Sequence, residues 1–196
     1  MSKLRRSARL VHMTYYLINH PQQVIALKFF GEKYQAAKSS ISEDLAIIKE
    51  VFAQAGIGQI ITLASATGGV KFIPMVDKQE AKEWVLPLCE QLQDTSRILP
   101  GGYLYMSDLL ANPQYVKQIG RLFAARFADK AIDCVMTIET KGIPLAYATA
   151  EHLNVPVVIV RRDNKVTEGS AVSINYVSGS QKRIQTMWIA RRAIRA

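Results

Sequence analysis

Cysteine and histidine are scarce in this chain of 196 residues, with two of the first and three of the second. Cys89 and Cys134 lie far apart, form no CxxC pair and have no His-rich neighbourhood, so they are expected as reduced, small core residues. His12, His20 and His152 show no ligand spacing, and no metal is assigned. No run of 18 apolar residues and no signal-like start is present, so the expectation is a cytoplasmic protein that neither spans nor crosses a membrane. Acidic residues are also thin at both ends: residues 1–75 hold 9 Lys/Arg against 4 Asp/Glu and residues 159–196 hold 8 against 2, whereas residues 76–158 hold 8 against 10. Positive charge concentrated at particular places suits a polyanionic partner such as nucleic acid or a phosphorylated ligand. What is plentiful is apolar sequence, at 49%, enough for a small domain over 1–75 and a larger one over 76–196.

In the first segment, Leu10, Val11, Thr14, Leu17 and Ile18 fall at helical spacing, predicting a helix with those residues inward that ends at Asn19–Pro21. A short helix is predicted from Leu27 to Tyr34 around Phe29 and Phe30, although Gly31 is a poor helix former. In "AAKSSISEDLAIIKEVFAQAGIG", Ser40 and Glu43 fit an S-x-x-E capping box, which predicts a helix start near Ser40. Ile41, Leu45, Ile48 and Phe52 make its apolar line, while Ser39, Ser42, Glu43, Ala46 and Lys49 occupy the other side. Small polar residues at the leading end let such a helix settle into a DNA major groove about 12 Å wide. Then "QIITLASATGGVKFIP" reads as a β-hairpin turning at Thr67-Gly68-Gly69. Three helices and a hairpin describe a winged helix-turn-helix. Its expected DNA contacts are Lys38, Ser39, Ser40 and Ser42 on the reading helix, with Lys71 on the wing and Lys3, Arg5, Arg6 and Arg9 on phosphates.

From about Asp77 a helix is predicted with Ala81, Trp84, Val85, Leu88 and Leu92 on one face, and a later one carries Val116, Gly120, Phe123 and Phe127. The run "IDCVMTIE" reads as a strand buried on both faces. "PLAYATAEHL" reads as a helix and "VPVVIVRR" as a strand, so together the three form a right-handed βαβ unit of an α/β parallel sheet. Ligands of such units sit where strand ends meet helix starts. Glu139, Thr140, Lys141 and Gly142 occupy that place, with free amides and Pro144 at the first helical turn, which is either an anion cradle or a tight turn. Arg161, Arg162 and Lys165 end the second strand at the same edge. A Ser/Gly-rich hairpin beyond is expected as a flap over a ligand.

"RRSARLVHMTYYL", "AKSSISEDLAIIK", "GGVKFIP", "RILPGGYLYMSD", "TKGIPLAYATAEHLNVPVVIVRRDNKVTEGS" and "VSINYVSGS" resemble the purine operon regulators of Gram-positive bacteria, over all 196 residues. The resemblance implies a winged-helix domain joined to a type I phosphoribosyltransferase fold, acting as a homodimer on double-stranded operator DNA. It implies no cofactor and no catalysis; the second domain senses phosphoribosyl pyrophosphate, which lowers operator affinity, with guanosine tetraphosphate as a competing ligand. On that carry-over Glu139, Thr140, Lys141 and Gly142 form the pyrophosphate loop, and Tyr103, Arg161 and Lys165 contact the effector. The family pattern also has a third strand ending in paired carboxylates and a Gly/Thr-rich loop. Here Glu168 is the one acid after Asp163 and "IARRAIRA" stands about where that strand is expected to begin, so the expectation is a piece of a longer regulator or one that has lost most of its sensing. A phosphoribosyltransferase enzyme, the alternative, needs those carboxylates and a metal-bound pyrophosphate.

Overall fold

The apolar line across residues 41–52 organises the first half of the chain. The computed structural model describes residues 4–63, 68–179 and 182–194. Two compact units emerge: one comprises Met1–Gln93, Arg121–Asp129 and His152–Asn154, the other Asp94–Gly120, Lys130–Glu151 and Val155–Ala196.

In the first unit, α1 (Arg6–Asn19), β1 (Ile25–Ala26), α2 (Leu27–Tyr34) and α3 (Lys38–Gln54) precede a hairpin of β2 (Gly58–Leu63) and β3 (Gly69–Pro74). The strands form an antiparallel sheet in the order β1-β3-β2. Gly69 permits the β1 pairing, since a Cβ there would stand 2.8 Å from Val24 Cγ1. Ile41, Leu45, Ile48 and Phe52 of α3 are buried in one cluster with Met13 and Leu17 of α1, Phe30 and Tyr34 of α2, and Phe72 of β3. Each such side chain contributes about 1.5–3 kcal/mol. This shared core holds α2 helical, since its eight residues are too few to form a stable helix alone. Gly31 has a purpose here. The chain turns back after α2 through Gln35, in the left-handed region at φ 50°, and the Ala36 carbonyl comes to 3.3 Å from where a Cβ on Gly31 would be. Helix α4 (Lys78–Gln93) completes the N-terminal run, and Asp77 caps it by accepting the amides of Gln79 and Glu80 at 2.8 and 3.2 Å.

Several expectations need correction. The buried face of α1 carries Arg9, Met13 and Leu17, while Val11 and Ile18 are 67% and 45% exposed; the choice of Thr14 as an inward residue rotated the predicted face. Helix α3 starts at Lys38 with Ala37 as N-cap and no side-chain cap bond, so Ser40 and Glu43 form no capping box. Cys89 is exposed and Cys134 half-buried, both as free thiols. The predicted hairpin turn falls partly outside the described residues, at Thr67.

The second unit opens with a hairpin of β4 (Ile98–Leu99) and β5 (Tyr103–Leu104), then α5 (Ser107–Leu110) and the first part of α6 (Pro113–Arg126), whose residues from Arg121 onward belong to the first unit. Arg97 anchors the hairpin: it donates to both oxygens of Asp108 at 2.9 and 2.8 Å, and holds that carboxyl below its ordinary pKa. Strand β6 (Val135–Ile138), helix α7 (Ile143–Leu153) and strand β7 (Val157–Val160) make the expected βαβ unit, paired in parallel from Val135↔Val157 to Ile138↔Val160. Gly120 of α6 packs on α7 so closely that a Cβ would lie 2.5 Å from that of Ala148. Strands β8 (Ala171–Ser178) and β9 (Arg183–Ala190) form an antiparallel hairpin of eight-residue arms, joined to the end of β7 by paired backbone bonds between Arg161 and Trp188. Strand β6 is not buried on both faces: it pairs with β7 alone among the described residues, and Met136 and Ile138 are 56% and 46% exposed. Phe123 and Phe127 are likewise exposed rather than inward. Ile189 and Ala190 end β9 and Arg191–Ile194 form a 3-10 turn, where a third parallel strand was expected to begin.

Candidate nucleic-acid interface and anion loop

Helix α3 presents Lys38, Ser39, Ser42, Glu43, Ala46 and Lys49 to solvent, with its apolar line turned inward. Ser39, Ser42 and Ala46 make a low strip on this surface between longer side chains, and the Ser42 hydroxyl folds back to donate to the Lys38 carbonyl at 3.0 Å. Ser40 is only half-exposed, at the margin of that face. Among the described residues Arg5, Lys38, Lys49 and Lys71 have no carboxylate partner, which leaves their charge for a polyanion; Lys71 is half-buried on β3. Lys3 lies outside the described residues.

Arg9 and Arg6 are placed differently from expectation. Asp44, fully buried on α3, accepts from the Arg9 Nε through one oxygen and from the Arg6 Nε at 3.1 Å through the other. The Arg9 side chain is 8% exposed, so it fastens α1 to α3 instead of meeting phosphate. Arg6, 54% exposed, also lies 3.5 Å from Glu43, so its charge too is met by carboxylates of α3. Sequence reasoning missed Asp44, although its position three after Ile41 and four before Ile48 already put it on the inward face. Lys49, exposed on the same outer face beyond Ser42 and Ala46, was placed on that side by the helical period as well.

In the second unit the loop from Glu139 to Gly142 joins the end of β6 to the start of α7. The amides of Thr140, Lys141 and Gly142 have no hydrogen-bond partner among the described residues, and Lys141 has no carboxylate partner. Consecutive free amides before a helix favour an anion. Gly142 serves local packing as well: a Cβ would stand 2.5 Å from Thr137 Oγ1. Glu139 accepts from the Arg162 amide at 2.8 Å and from Arg161 Nη1 at 3.2 Å. The amide first, then the guanidinium, holds the Glu139 carboxyl below its ordinary value against the opposing effect of burial. Arg161 also donates to Glu168 at 2.8 Å, and these two carboxylates raise its already high pKa. Lys165 stands 3.6 Å from the exposed Asp163. Arg161 is therefore neutralised within the protein, while Lys141 is the uncommitted charge of the loop. Tyr103, 71% exposed on the β4–β5 hairpin, makes no side-chain hydrogen bond among the described residues. No group of three or more His, Cys, Asp or Glu is placed to hold a metal among the described residues, and no helix of theirs is long and apolar enough to cross a membrane.

A winged helix-turn-helix unit carried on one chain with a parallel βαβ unit, whose loop has amides without partners among the described residues, defines a class: a DNA-binding domain joined to a phosphoribosyltransferase-type domain. Residues 5–74 match the family described as bacterial purine repressor, N-terminal, and residues 106–193 the phosphoribosyl transferase domain. The chain is 59% identical over 193 residues to the purine biosynthesis transcriptional repressor PurR of Bacillus subtilis (strain 168), covering 98% of this chain and 68% of that protein. It is 54% identical to the probable purine biosynthesis transcriptional regulator PurR of Streptococcus pneumoniae serotype 4, over 99% of this chain and 71% of that one. Against the purine biosynthesis transcriptional activator PurR of Lactococcus lactis subsp. lactis (strain IL1403) the identity is 46%, over 97% and 70%. The chain belongs to this family of purine biosynthesis transcriptional regulators.

Proposed function

We propose that the chain regulates purine biosynthesis genes by binding double-stranded operator DNA through α3, as a cytoplasmic homodimer, and that phosphoribosyl pyrophosphate taken at the Glu139–Gly142 loop lowers that affinity. Guanosine tetraphosphate competes for the same loop. The observation that carries the reading is the outer face of α3, where Ser39, Ser42 and Ala46 are exposed together with Lys38 and Lys49, neither of which has a carboxylate partner among the described residues. The enzyme alternative is disfavoured: Glu168, the acid that follows Asp163, is bound by Arg161, and three relatives at 46–59% identity are named as transcriptional regulators. A gel shift with purine-gene promoter fragments tests it. Promoter duplex is expected to bind more tightly than random duplex, with most of the affinity lost between about 50 and 200 mM salt as counterions are released. Equal binding of both duplexes at modest salt would end the DNA-reading role.

A further inference from the structure

We infer that Arg121, 65 residues beyond the joint it touches, is a positioning residue that sets α3 against the wing for DNA reading. This rests on the proposed role of α3. Helix α3 ends at Gln54 and β2 begins at Gly58, so Ala55, Gly56 and Ile57 fix the angle between reading helix and wing. The amides of this joint are used up internally: Ala55 donates to Val51, Gly56 to Ala53 and Ile57 to Phe52, at 2.9, 3.4 and 3.0 Å. Gly56 takes φ 63°, in the left-handed region that favours glycine. Its carbonyl accepts from Arg121 Nη2 at 2.6 Å.

The same guanidinium donates to both oxygens of Glu80, at 2.7 and 3.5 Å. Glu80 sits in the first turn of α4, whose start is fixed by the Asp77 cap. A planar fork can reach a carbonyl and a carboxylate together, which an ammonium does less well. A cation at the carboxyl end of α3 also complements the helix dipole. With both terminal nitrogens bonded to Gly56 and Glu80, and its side chain only 24% exposed, Arg121 ties the joint to the start of α4. Base reading tolerates little misplacement, about 0.5 Å for a preorganised site, so loosening the joint is felt as lost specificity.

The test uses the full chain as wild type, Arg121→Gln, Arg121→Lys and Glu80→Gln, titrated with purine-gene promoter duplex and with random duplex of equal length over a range of salt. Arg121→Gln is expected to lose about ten-fold in promoter affinity, the size of one charge-assisted hydrogen bond. Its random-duplex affinity and salt slope stay at wild-type values, because no phosphate contact is removed. Arg121→Lys recovers part of the loss, and Glu80→Gln shows a smaller loss in the same direction. Should Arg121→Gln fail to fold, the Glu80→Gln arm decides alone. Promoter binding unchanged in these variants, or promoter and random affinities falling together, overturns the inference. A wild type with no promoter preference sinks the DNA-reading proposal and this one with it, whereas a preference that survives the substitutions sinks the clamp alone.

Discussion

Asp44 is fully buried on the helix proposed to read DNA, and both its oxygens are occupied by arginines of α1. Removing it leaves Arg9 buried without a counter-charge, so Asp44→Ala is expected to cost about 3–5 kcal/mol of stability. Arg6→Ala, at a half-exposed position, is expected to cost about 1 kcal/mol or less. Urea unfolding compares the two; equal midpoints would show that this pair does not fasten α1 to α3. The loop carboxylate Glu139 gives a pH signature. Its folded pKa lies below the ordinary 4.5, so its contribution is present above that value and lost as pH falls through the folded pKa. The stability gap between wild type and Glu139→Gln should therefore be full at pH 7, shrink below about 4.5 and vanish in stronger acid. A gap that does not change with pH would remove the amide and guanidinium bonds as its cause. Neither pairing was legible in the sequence. Helical periodicity puts Arg9 and Asp44 each on a face, but the chain between two residues 35 positions apart decides which faces meet.

At the scale of elements, α2 was read with its observed ends, and the outer residues of α3 were read as the structure has them, because both are governed by the period of burial. The start of α3 was not. S-x-x-E satisfies a capping box on paper, yet Ala37 is the N-cap and the helix begins two residues before Ser40; nothing in local pattern separates a capping serine from one already inside the first turn. Strand β1 was missed because two residues carry no alternation, and its pairing with Val70 and Gly69 is made only by tertiary approach. The reading face itself can be challenged directly. Ser39 and Ser42 are exposed, so Ser39→Phe with Ser42→Phe should leave the melting temperature almost unchanged, surface changes being worth about 0.5 kcal/mol or less. Promoter footprinting should nevertheless disappear, since the rings hold α3 off the base edges. A normal footprint would take α3 out of the reading role.

For the molecule as a whole, the issue is whether an anion held at one loop changes affinity for DNA elsewhere. Linkage makes the demand symmetrical: if phosphoribosyl pyrophosphate weakens promoter binding by some factor, promoter must weaken ligand binding by the same factor, with couplings of about 1–3 kcal/mol being typical. Lys141 is the position to probe. Arg161 is already shared between Glu139 and Glu168, so its removal would leave two carboxylates facing each other and confuse stability with ligand affinity. Lys141 has no carboxylate partner among the described residues, so Lys141→Ala takes away charge at the three free amides and little else. Melting temperature and promoter affinity without ligand should then match wild type, while the phosphoribosyl pyrophosphate concentration that halves promoter binding rises about ten-fold, as expected for one charge-assisted contact. If that concentration is unchanged, the ligand is not held at this loop, and the free amides before α7 belong to an ordinary turn.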